Sequence, residues 1–224
     1  MGIDYFKSSV GRKQVVAVTG ILLILFIMGH LAGNLLIYLG PEAFNSYAKK
    51  LSGLRPGLYV VEAGLAFMFI VHMWFTATLV FENIRSRPRD YHLRVSSSNR
   101  SWATRLMPYT GTALLLFVAW HLLDFTFVDK HGPRSILADG QSYGLYGIVY
   151  NSFTDPVHST LYIIAMVGLG LHLSHGVQSF MQTFGFTGSR YAEVIKNISH
   201  WFAILIVCGY CSIPIYVMLH YSYY

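Results

Sequence analysis

Charge is scarce in this 224-residue chain: Asp, Glu, Lys and Arg together make up 12% of it, against 54% hydrophobic residues. A soluble domain carries roughly twice that charged fraction, so the composition excludes an ordinary water-covered surface and points to an integral membrane protein. Cysteine is nearly absent. Cys208 and Cys211 form a CxxC inside an apolar run; with no βαβ pattern around them they read as small packing residues, not as a redox or zinc motif. Two thiolates also fall short of the four that an iron–sulfur cluster takes. No glycine-rich dinucleotide fingerprint is present either.

Long apolar runs dominate what remains. Five are long enough to cross a bilayer as helix, which needs about 20 residues: Gln14–Leu39, Gly57–Phe81, Leu106–Val128, Pro156–Phe184 and Ile198–His220. The first, fourth and fifth contain no Asp, Glu, Lys or Arg; the second contains only Glu62 and the third only Asp124. The expected fold is all-α: one transmembrane domain over residues 1–224 with five spanning helices, four of them forming a bundle. The basic N-terminus followed by an apolar run has the outline of a signal peptide. The run is too long for one and lacks a small-residue cleavage site, so it reads as a retained first helix.

The cations set the expected orientation. Lys7, Arg12, Lys13, Arg85, Arg87, Arg89, Arg94, Arg100, Arg105, Arg190 and Lys196 fall on one side of the spans, whereas Lys49, Lys50, Arg55, Lys130 and Arg134 fall on the other. The richer side belongs in the cytoplasm, which places the N-terminus inside. The net charge of +6 therefore suits anionic lipid headgroups or an acidic docking partner, not nucleic acid.

Four histidines, His30, His72, His121 and His172, lie within four different spans. An imidazole in hydrocarbon is expensive to keep without a partner, and haem iron is a suitable one, being ligated by neutral imidazole within an apolar macrocycle. Helix direction sorts them by depth. His30 and His121 lie about two-thirds along outward-running helices, nearer the outer face; His72 and His172 lie past the middle of inward-running helices, nearer the cytoplasm. Two bis-histidine haems stacked in a four-helix bundle need this arrangement. His175, three residues after His172, is the rival ligand on its helix. His158 and His200 read as interfacial, and His92, His131 and His220 as solvated.

A short repeat accompanies the outer pair: Thr19-Gly20 and Thr110-Gly111 each precede a histidine, His30 and His121, by the same interval. Eleven residues of helix advance roughly 16 Å and return to within roughly 20° of the starting face. Thr19, Gly20, Thr110 and Gly111 are thus expected beside the inner haem, leaving room for the porphyrin and offering hydroxyls to its edge. Close helix packing through small residues is the alternative.

The fragments GHLAGN around His30, EAFNSYAKKL after the first helix, VHMW at His72, TGTALLLFVAWHLLD through His121 and LHLSHGVQSF around His172 resemble the single-subunit, di-haem cytochrome b of bacterial succinate:quinone oxidoreductases, that is, succinate dehydrogenase and fumarate reductase. The resemblance runs through nearly the whole chain. It implies a multi-pass protein of the bacterial cytoplasmic (inner) membrane that binds two haems b, with His72 and His172 holding the proximal haem and His30 and His121 the distal one. It implies as partners a flavoprotein subunit with FAD and an iron–sulfur subunit, and as substrate a membrane quinone, usually menaquinone among di-haem members. Quinone chemistry needs a proton-handling group; Glu62 is the first candidate and Asp124 the second. Arg12, Lys13 and Lys196 are candidate neighbours of haem propionates, and the loop Glu82–Arg105, with six arginines, is a candidate docking surface. Some members carry a glutamate that assists proton movement two positions before the fourth histidine; Gly170 stands there in this chain. A stand-alone transmembrane cytochrome b, and a transporter or anchor without haem, remain the competing readings.

Overall fold

The computed structural model describes residues 5, 8–86, 102–186 and 188–220. It contains seven α-helices: α1 Ser9–Asn34, α2 Pro41–Ser52, α3 Gly57–Arg85, α4 Trp102–Phe125, α5 Gly144–Thr154, α6 Pro156–Thr183 and α7 Ser189–His220. Among the described residues no strand forms; the Ile136–Ser142 pairing is an isolated bridge. Helices α1, α3, α4, α6 and α7 provide five segments long and apolar enough to cross a membrane.

Local chemistry sets the helix ends. The Ser8 hydroxyl accepts from the Gly11 amide at 3.0 Å and caps α1. Asp155 accepts from Val157 N–H at 2.9 Å, with Pro156 as the first residue of α6; proline suits that position because its missing N–H would be unsatisfied there anyway. Several boundaries differ from the hydropathy reading: the first span starts at Ser9, the second runs on to Arg85 and the third starts at Trp102. The third span stops at Phe125, and α7 begins nine residues before Ile198, taking in Arg190, Glu193 and Lys196. Hydropathy registers only the part of a helix that matches hydrocarbon, whereas backbone hydrogen bonding continues through a polar first turn.

Packing is organised around α6. It shares its most extensive contact with α7, lies along α4 and also meets α1; α3 lies along α1 and barely touches α4. The result is two antiparallel pairs, α1 with α3 and α4 with α6, joined through α1 and α6. No residue of α3 is fully buried. Glycine permits the tightest approach between α6 and α7: a Cβ at Gly170 would stand 2.4 Å from Val207 Cγ2. Any side chain at this position would require the Val207 methyl to move.

A second compact region covers one end of the bundle. Its helices α2 and α5 fall between the spans and have no counterpart in the hydropathy reading. Asn45 on α2 ties them together, donating from Nδ2 to the Tyr143 carbonyl at 2.8 Å and accepting at Oδ1 from the Tyr146 amide at 3.1 Å. Tyr146, Ile148 and Tyr150 on α5 are almost completely buried. The Tyr150 hydroxyl donates to the His220 carbonyl at the end of α7, at 2.8 Å.

Candidate functional site: two levels of paired imidazoles

His30 on α1 and His121 on α4 meet across the bundle. Their ring centres are 5.8 Å apart and their planes stand at 88°. A metal bound by two imidazoles on opposite sides, at about 2 Å from each nitrogen, separates the ring centres by about 6 Å. The spacing therefore fits a bis-histidine iron. His30 is stacked on Phe26 one turn earlier, at 5.3 Å, and His121 on Phe117 in the same way, at 5.8 Å. Each ring is braced by the preceding aromatic residue of its own helix.

The second level is built by the Thr-Gly repeat. The Thr19 hydroxyl on α1 lies 3.1 Å from Nδ1 of His72 on α3. The Thr110 hydroxyl on α4 lies 3.3 Å from Nδ1 of His172 on α6. A Cβ added to Gly20 would touch His72 Cε1 at 3.4 Å, and one added to Gly111 would touch His172 Cε1 at 3.5 Å. Glycine thus lets each ring lie against the neighbouring helix, where a branched side chain would displace it. These threonines are expected beside the inner haem; the structure sets each hydroxyl against an imidazole Nδ1 at that level. His175, the rival on α6, is not the ring that Thr110 meets.

Beyond His121, at the end of the bundle that carries α2 and α5, lies a polar cluster. Asp124, one turn after His121, accepts from the Tyr162 hydroxyl at 3.0 Å and pairs with Arg134 at 3.3 Å. Its side chain is 12% exposed. Arg134 also donates to the Ser152 hydroxyl at 2.6 Å. The Tyr162 oxygen is 3.5 Å from His121 Nδ1, which links the carboxylate to a ring of the first level. His158 stacks on Tyr162 at 4.8 Å and 14° and lies edge-on to Trp120 at 5.0 Å. Its Nε2 stands 3.1 Å from Asp124 Oδ2. That approach is out of line for a hydrogen bond, so the contact is Coulombic and the buried nitrogen has no hydrogen-bond partner among the described residues. His158, expected near the interface, sits in the first turn of α6 with neighbours from α4 and from the segment before α5 that no sequence spacing relates.

The other candidates lie apart. Glu62 is an exposed residue near the start of α3 and pairs with Arg55 at 3.3 Å; Arg55 also lies over the Tyr59 ring at 4.1 Å. Arg12 is bonded to Glu82, tying the start of α1 to the end of α3, and Lys13 and Lys196 are exposed. Positions 87–101, with most of the loop arginines, Ser96, Ser97, Ser98 and His92, lie outside the described residues. Cys208 and Cys211 are free thiols. Among the described residues no cluster of three or more His, Cys, Asp or Glu side chains forms a metal site.

A curated relative matches most of the chain. The succinate dehydrogenase cytochrome b558 subunit of Bacillus subtilis (strain 168) is 24% identical over 173 residues, covering 77% of this chain and 78% of the relative. The chain resembles the cytochrome b membrane subunit of succinate dehydrogenase. No protein-family model matches it, and no solved structure does.

Proposed function

We propose that this chain is the di-haem membrane anchor of a succinate:quinone oxidoreductase, serving electron transfer between an iron–sulfur subunit and a membrane quinone. What supports this reading is the His30–His121 ring pair between α1 and α4, together with His72 of α3 and His172 of α6, each set against a threonine of the neighbouring helix. His30 and His121 would hold one haem b, and His72 and His172 the other. Bound haem would supply one-electron carriers on the way across the bilayer. The relative named above supports an assignment to succinate dehydrogenase. The partners that follow are a flavoprotein subunit with FAD and an iron–sulfur subunit, docked on the cation-rich face. By charge asymmetry that face is cytoplasmic, and the host membrane is the bacterial inner membrane.

Quinone reduction consumes two protons, and the chain's own residues can deliver them at the Asp124 cluster. His158, whose Nε2 lies 3.1 Å from Asp124 Oδ2, is a candidate to meet a quinone oxygen once a quinone opens that corner of the cluster. The Asp124 carboxylate beside it can hold the proton, and Arg134 balances the charge left behind. Menaquinone is the quinone we assign. Glu62, at the same end but on α3 and engaged with Arg55, is the second proton-handling candidate. Arg12 and Lys13 lie at the opposite end, where propionates of the inner haem would need cations.

Purification of the tagged chain from its native membrane tests the assignment. A complex containing a flavoprotein and an iron–sulfur protein, with succinate-dependent quinone reduction, is the expected result. A haem-bearing chain without those subunits would establish the stand-alone cytochrome instead, and a haem-free chain the transporter or plain anchor.

A further inference from the structure

We infer that Thr19 and Thr110 are positioning residues that set the tautomer of His72 and His172, forcing Nδ1 to carry the proton and leaving Nε2 bare for iron. The inference rests on the haem reading above but concerns atoms of this chain. A threonine hydroxyl has a single proton to donate. The Thr19 hydroxyl donates to the Val15 carbonyl, 2.8 Å away and one turn back; the Val16 carbonyl, 3.2 Å from the same oxygen, also accepts from the His72 ring and so favours a proton on the same side. The Thr110 hydroxyl is likewise engaged by the carbonyls of Leu106 and Met107, both at 3.1 Å. Each Oγ1 can then meet an imidazole nitrogen only as an acceptor, so the nitrogen facing it must be N–H. The neutral ring has one such proton, and its lone pair is left on Nε2, the nitrogen directed away from the threonine.

Two consequences follow. The ring cannot flip without losing its hydrogen bond, so each ligand is oriented before a metal arrives. An Nδ1–H that donates also makes Nε2 a stronger electron donor, which favours the ferric state and lowers the potential of the inner haem. Among the described residues no threonine hydroxyl meets His30 or His121; His121 has Tyr162 at 3.5 Å, whose proton goes to Asp124. Threonine substitutions should therefore be felt at one level only.

The test uses the intact complex carrying Thr19→Val, Thr110→Val, Thr19→Ser and Thr110→Ser, read by reduced-minus-oxidised spectra, haem content and potentiometric titration. Valine keeps the shape and removes the oxygen. We expect each valine variant to raise the midpoint potential of the inner haem, or to weaken its retention by on the order of tenfold to a hundredfold, with the outer haem unmoved. We expect each serine variant to restore wild-type behaviour. Valine variants with both potentials and haem content unchanged would overturn the inference, as would serine variants that shift as far as valine. Failure of the underlying haem assignment looks different: the wild-type complex would bind no haem, or His72→Ala would keep both.

Discussion

Tyr162 donates its hydroxyl proton to Asp124 at 3.0 Å, and through that bond a carboxylate one turn beyond His121 is coupled to the outer imidazole pair. Replacing Asp124 with Asn preserves the side-chain shape and removes the proton acceptor. Quinol turnover should fall by on the order of 100-fold or more, the usual scale for loss of a positioned acid–base group, while both haem spectra persist. Steady-state assays with menaquinol analogues on spectrally intact complex check this.

Glu62→Gln should have the weaker effect, within about tenfold of wild type, because this carboxylate faces Arg55 outside the cluster. A larger loss than that of Asp124→Asn in the same assay would move the proton-handling role to α3.

Stability of the capping region depends on one close approach. A Cβ at Gly147 would lie 2.2 Å from the Ser135 carbonyl oxygen, which is backbone and cannot swing aside. Gly147→Ala should cost about 1–3 kcal/mol or more through overpacking, seen as a lowered melting temperature of the detergent-solubilised complex and faster proteolysis between residues 133 and 154.

Asp139, in the loop that leads to α5, has its carboxyl held below the usual range, first by the Gln141 amide and then by the Tyr143 hydroxyl. Because the folded value is depressed, its contribution to loop stability is present above the unfolded carboxylate range. It is lost as pH falls through the folded value. Amide protection across residues 137–143, after the intrinsic pH dependence of exchange is divided out, should therefore fall in acid for the wild type and change much less in Asp139→Asn.

Much of this architecture is readable from composition, because a helix in hydrocarbon must be apolar along its whole length and His30, His72, His121 and His172 each interrupt such a run. Their relative depths follow from helix direction alone. Repeats such as Thr19-Gly20 and Thr110-Gly111 disclose face and depth but not which atom a hydroxyl will meet, and so the imidazole partners emerge only once α1 is set beside α3, and α4 beside α6. Helix α5 is too short to register as a span, and its glycines at 144 and 147 give it the look of a loop. Asp124, Tyr162, His158 and Arg134 converge from α4, α6 and the segment before α5, so no local pattern marks them as one site. Gly170 reads as a missing acid in the sequence and as a close contact with Val207 in the fold.

Haem content measured on the purified chain, by pyridine haemochrome against protein mass, bears most directly on the pairing of the imidazoles. Two haems b per polypeptide are expected in the wild type and one in His72→Ala or His121→Ala, each variant losing a different spectral component. A wild-type chain without iron, or alanine variants that retain both haems, would contradict it.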